Sequence, residues 1–127
     1  NQPGLYHMAQ AYCYPAILDG LGLSLLEAIA SGCIVICPDA PPWNEFVEHE
    51  KNGLLIPIVR KQRREDGIAF PEVFCDTNAF THAMERLAYD ETLRWVLYHG
   101  SRVVRDEKLG WADFKGRIGK AFGGLKK

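Results

Sequence analysis

The chain has 127 residues, of which 47% are hydrophobic, and its 15 Lys and Arg against 16 Asp and Glu leave a net charge of −1. That length and composition suit one globular domain with a real core. The near-neutral balance excludes general nucleic-acid binding, which needs a basic surface, and no apolar run approaches the about 18–20 residues of a membrane span.

The expected elements alternate along the chain. Leu5 to Gln10 reads as the end of a helix, and Ala11 to Tyr14 as a short buried strand stopped by Pro15. A loop over 16–21 leads into a helix from Gly22 to Ala30, closed by Ser31-Gly32 with glycine at the C-terminal cap. Cys33 to Cys37 is a β-branched run ending at Pro38, and Pro42 to Val47 reads as a short helix with proline in its first turn. Gly53 to Ile56 is a third strand. Three continuously apolar strands separated by helices imply a parallel sheet covered on both faces. Residues 58–71 read as a charged loop carrying Arg60, Lys61, Arg63, Arg64, Glu65 and Asp66. Three helices follow: Asn78 to Tyr89, capped by Asp76 or Thr77, then Glu91 to Val104, then Trp111 to Phe122 with Trp111, Phe114, Ile118 and Phe122 on one face.

The chemistry concentrates in Asp19-Gly20-Leu21-Gly22-Leu23-Ser24-Leu25-Leu26-Glu27. Two glycines place bare backbone N–H groups at the start of an apolar helix, an end that attracts anions through unsatisfied donors and the macrodipole. The carboxylates on either side of that anion pocket, Asp19 and Glu27, accept hydrogen bonds and so suit hydroxyls rather than phosphate. Phosphate between two hydroxyl-bearing groups describes a nucleotide sugar. Ser24, Glu27 and Ser31 share one stripe of the helix. With Leu23, Leu25, Leu26, Ala28 and Ile29 around it, Glu27 is expected to be enclosed and partnered. The glycines do not form a dinucleotide fingerprint, because the third glycine position is Leu25, and no P-loop Lys follows. Trp43 is read as a packing residue, and Glu45 as an acid favoured by its helix dipole.

These residues, preceded by Tyr14-Pro15, resemble the donor-site signature of the GT-B glycosyltransferases, in particular the retaining group (family GT4, group 1) with its Glu-x7-Glu motif. The resemblance continues through Ile34-Val35-Ile36, Pro41-Pro42-Trp43-Asn44-Glu45-Phe46-Val47 and Lys51-Asn52-Gly53-Leu54-Leu55-Ile56-Pro57. It departs at Asp19, where the family has Glu, and at Ala16, where it has Ser.

The resemblance implies that residues 1–127 form the C-terminal part of a Rossmann-like nucleotide-sugar-binding domain, with an N-terminal acceptor domain and earlier basic residues outside the chain. It implies a retaining transferase that moves a sugar from a nucleotide-diphosphate donor to an acceptor hydroxyl without a metal. Glu27 would meet the ribose, the N–H groups of Gly22, Leu23 and Ser24 the distal phosphate, and Asp19 with the Gly20–Leu21 backbone the transferred sugar. The piece alone would be inactive and would expose a sheet edge open to self-association. A non-catalytic nucleotide- or phosphate-binding module, or an assembly module, is the alternative.

Cys33 and Cys37 would lie on one side of their strand about 13 Å apart, too far to bridge. With Cys13 and Cys75 they read as buried free thiols in a reducing cytoplasm. His7, His49, His82 and His99 show no ligand spacing. The basic run over 60–64 reads as a solvated loop, with contact to an acidic acceptor or a membrane surface as its other role.

Overall fold

The computed structural model describes residues 4–67 and 69–122. Its centre is a three-stranded parallel sheet of β1 (Ala11–Cys13), β2 (Ile34–Pro38) and β3 (Gly53–Ile56), in that order. The register pairs Tyr12 with Val35 and Ile36 with Leu54. All five β2 residues are buried, and alternate side chains enter different cores. Cys33, Val35 and Cys37 meet Leu25, Ala28 and Ile29 of α1 (Leu23–Ala30), together with Trp43 and Val47. Ile34 and Ile36, with Leu54 and Ile56 of β3, meet α2 (Thr77–Tyr89) and α3 (Glu91–Lys108) through Phe80, Leu87 and Leu97. Helices therefore cover both faces, which is why these strands read as unbroken apolar runs.

Several expectations change in detail. The first segment is a single 3-10 turn, Leu5–Met8, rather than the end of a helix. β1 is half-buried instead of fully buried, and Cys13 is exposed on it; only Cys33 and Cys37 are buried thiols. A 3-10 turn at Trp43–Glu45 replaces the short helix. The charged loop is the largest correction: β4 (Ile58–Gln62) and β5 (Glu72–Cys75) form an antiparallel hairpin. Its alternation is masked because most of β4 faces water, leaving charged residues where a half-buried strand would show apolar ones. Arg60 lies over the Phe74 ring at 3.8 Å, an attraction that suits a cation to this sheet.

Asp76 caps α2, accepting from Asn78 N at 2.8 Å and Ala79 N at 3.1 Å. Asp90 caps α3 through Leu93 N at 2.9 Å. Ser101 of α3, fully buried, donates to the Cys33 carbonyl at 2.8 Å, a bond that fixes α3 against the start of β2. A final helix, α4, spans Trp111–Phe122; the side chains of Trp111, Phe114 and Phe122, expected on its apolar face, lie outside the described residues. No described helix is long and apolar enough to cross a membrane.

Candidate functional site

The site forms at the carboxyl ends of β1 and β2, where open α/β sheets bind ligands. Tyr14 extends β1 by donating its N–H to Ile36 O at 2.8 Å, and the chain then loops through 15–22 into α1. Asp19 organises that loop. Its Oδ1 accepts from Leu21 N at 3.1 Å and Gly22 N at 3.0 Å, and its Oδ2 accepts from the Tyr14 hydroxyl. With two lone pairs on each oxygen, about one acceptor position on Asp19 is left for a ligand. The Tyr14 bond, followed by the backbone donor at Gly22, holds its carboxyl below the usual aspartate range. Burial first, then the bond to Asp19, pushes the Tyr14 phenol up to about 12. Asp19 is thus a turn-organising acid as well as a candidate ligand group.

Gly22 is the helix cap, at φ 75°, and no side chain caps α1. The left-handed conformation alone favours glycine there. Space requires it too: a Cβ at this position would lie 2.9 Å from Trp43 Cδ1. Gly22 is therefore needed for packing against Trp43, not only for the backbone approach of an anion. Gly20, by contrast, has open space around the same position. With the Gly22 N–H on Asp19, the N–H groups of Leu23, Ser24 and Leu25 remain as the uncapped donors of the first turn.

Glu27 corrects the sequence expectation: it is exposed, not enclosed. Leu23 is 64% exposed, so the apolar helix presents one open side around its first turn instead of being wrapped. Glu27 does have a neighbour. Burial first, then the charges of Tyr12 and Glu27, push the Tyr6 phenol up. Tyr6, Tyr12, Tyr14 and Trp43 form a row of rings with successive centroids 5.3, 5.8 and 5.8 Å apart. Both acids of the motif thus border one aromatic row. Sequence reasoning missed this row, although Tyr12 and Tyr14 at a spacing of two on a strand share a face. Trp43 is 1% exposed, as a packing residue should be, and its Nε1 is buried without a partner among the described residues. Ser24 and Ser31 are half-buried, and the described residues hold no cluster of three or more His, Cys, Asp or Glu arranged for a metal.

The family described as glycosyl transferases group 1 matches residues 1–70, more than half the chain. The chain belongs to the group 1 glycosyltransferases. A glycosyltransferase relative from Streptococcus agalactiae, the GtfA subunit of a UDP-N-acetylglucosamine–peptide N-acetylglucosaminyltransferase, is 41% identical over 58 residues, 45% of this chain and 12% of that protein. The Streptococcus pneumoniae counterpart is 41% identical over 54 residues, 42% of this chain and 11% of that protein. The matched stretches therefore span about an eighth of these relatives' length. Among solved structures, sucrose-phosphate synthase from Thermosynechococcus elongatus superposes with a TM-score of 0.71 at 23% identity, over 94% of this chain and 26% of that one. Pneumococcal GtfA, in complex with UDP and GlcNAc, gives 0.67 at 25% identity over 97% of this chain and 22% of that one. The C-terminal domain of a group 1 glycosyltransferase from Francisella tularensis gives 0.59 at 22% identity, over 84% of this chain and 46% of that one. The parallel sheet and its helices are thus the fold of a GT-B C-terminal domain.

Proposed function

We propose that this group 1 chain supplies the donor-binding segment of a longer transferase, which moves a sugar from a nucleoside-diphosphate sugar to an acceptor hydroxyl with retention. The observation that carries the reading is the bare start of α1. Three N–H groups and the positive end of the helix dipole lie where the chain leaves β1, and no side chain caps them. A diphosphate placed there gains charge-assisted hydrogen bonds, and these strengthen as the leaving group takes up negative charge. No step in that stabilisation calls on a metal.

Exposed Glu27 is assigned to the ribose hydroxyls, and the spare acceptor position on Asp19 to a hydroxyl of the transferred sugar. Ionised Asp19 also orients the Gly20–Gly22 turn, so it acts on the phosphate pocket indirectly. UDP-GlcNAc, the donor after which the streptococcal relatives are named, is the first donor to try. Four free thiols among the described residues fit a reducing compartment such as the cytoplasm.

Calorimetry on the complete transferase with UDP and UDP-GlcNAc tests this. Glu27→Gln loses a charged acceptor worth about 1.5–3 kcal/mol, and should weaken both ligands about ten- to a hundredfold. Unchanged affinity for both would remove Glu27 from the site. UDP binding as tightly as every nucleotide sugar would favour the non-catalytic nucleotide-binding module instead.

A further inference from the structure

The β4–β5 hairpin is fastened to the Asp19 loop. Val73 N donates to Ile17 O at 2.9 Å, and the Val73 side chain, 6% exposed, joins the same core as Trp43. Between hairpin and loop lies a cavity of about 290 Å³, walled by Ile17, Leu18, Asp19, Pro41, Lys61 and Phe70. That is at the lower edge of the about 300–1,000 Å³ that hold drug-sized ligands, so it has room for one ring and not for a nucleotide. Its wall is mostly apolar, and Phe70 is 72% exposed.

The polar groups at this cavity are unusual in being underused. Arg60 rests on Phe74 and Arg64 pairs with Asp66, whereas Lys61 has no partner among the described residues. Asp19 keeps about one acceptor position. Trp43 adds ring surface to the wall, its buried Nε1 lying against Gly22. A hexopyranose matches this set: it offers a C–H face to an aromatic ring and a rim of hydroxyls that both donate and accept. A phosphate matches it poorly, because Asp19 would repel it.

We propose that this cavity is a saccharide-ring subsite, with Phe70 as its stacking platform and Lys61 as its hydrogen-bond donor, so that the hairpin governs which sugar is accepted. The proposal rests on the donor-site reading and adds to it a wall from the β4–β5 hairpin, outside the Asp19–Glu27 segment. The ring could be that of the donor or that of the acceptor; the chemistry is shared, and the test separates them.

The test is calorimetry and saturation-transfer NMR on the complete transferase, comparing wild type with Phe70→Ala, Phe70→Trp, Lys61→Met and, as a hairpin control outside the cavity, Val59→Ala. The probes are UDP and GDP, their hexose and N-acetylhexosamine conjugates, and free monosaccharides added with the nucleotide. Phe70→Ala and Lys61→Met should leave the bare nucleotide unaffected and weaken a sugar-bearing ligand about three- to tenfold, with Phe70→Trp retaining wild-type affinity. Loss confined to the conjugates places the donor ring there, and loss confined to free monosaccharides places the acceptor ring there. Equal affinities across wild type, Phe70→Ala and Lys61→Met for every sugar would overturn the subsite while nucleotide binding left the donor reading intact. No nucleotide binding by wild type would overturn both.

Discussion

α1 and α2 begin in opposite ways. Asp76 covers the first N–H groups of α2 with two hydrogen bonds, the kind of cap whose loss costs about 0.5–2 kcal/mol. α1 begins on a bare glycine, although Asp19 stands three residues away and spends its oxygens on the turn instead of the helix. The other end of α1 shows that this chain can finish the helix properly. Gly32, at φ 85°, donates to Ile29 O at 2.9 Å, and Cys33 N to Ala28 O at 3.0 Å, a complete Schellman closure. One helix thus has satisfied carbonyls at its C-terminal end and open donors at its N-terminal end. Open donors are stability forgone, and the place where it is forgone is the place where an anion would restore it.

The contrast can be broken most severely at Gly22. Gly22→Val places a β-branched residue at positive φ against Trp43, and should cost about 2–4 kcal/mol in urea unfolding; Gly20→Ala, in open space, should leave the midpoint unchanged. Next is Leu23→Asp, which puts a charge into the empty first turn. It should raise helix stability by about 0.3–1 kcal/mol while weakening a nucleoside diphosphate about tenfold. Opposite signs in melting and in calorimetry are the expected signature, and equal signs would mean the anion sits elsewhere. Gly32→Ala disturbs the finished end and should cost about 1 kcal/mol with nucleotide affinity unchanged.

The smallest effect concerns pH. Asp19 has its carboxyl held below its ordinary 3.8 in the folded state, first by the Tyr14 hydroxyl. A depressed carboxylate contributes stability in full above its unfolded value, and loses it as pH falls through the folded one. The 15–22 loop should therefore keep its order down to about pH 4 and loosen below it. Amide exchange at Leu21 and Gly22 should report this, and Tyr14→Phe should move the loosening toward the ordinary aspartate value. A loop insensitive to that change would show that the backbone donors alone set the Asp19 pKa.

The parallel sheet is legible in the sequence because β2 is buried on both faces, and a strand of that kind has no polar side to confuse the reading. Gly22 and Gly32 mark the ends of α1 for the same local reason, since each adopts positive φ. The enclosure expected of Glu27 fails because its neighbours in sequence are apolar but Leu23 is among the exposed ones, and composition does not tell which apolar side chains stay open. The hairpin escapes because β4 is exposed from Val59 to Gln62, on both faces, and carries Arg60 and Lys61 there, so its charge pattern matches a loop. Tyr14 stands in the motif, yet its bond to Asp19 joins two residues across a loop whose shape no spacing rule supplies.

Cys13 offers a built-in clock. It is exposed on β1, one of the two outer strands of the described parallel sheet, whereas Cys33 and Cys37 are buried and the Cys37 thiol is pushed up to about 12, chiefly by burial. Partial desolvation also raises the Cys13 thiol, so alkylation quickens as pH rises. Its labelling rate then measures how open that border of the sheet is, without any engineered probe. Anything that zips onto β1, whether a further strand or a second copy, would slow the modification of this one sulfur while leaving the buried pair as silent as before.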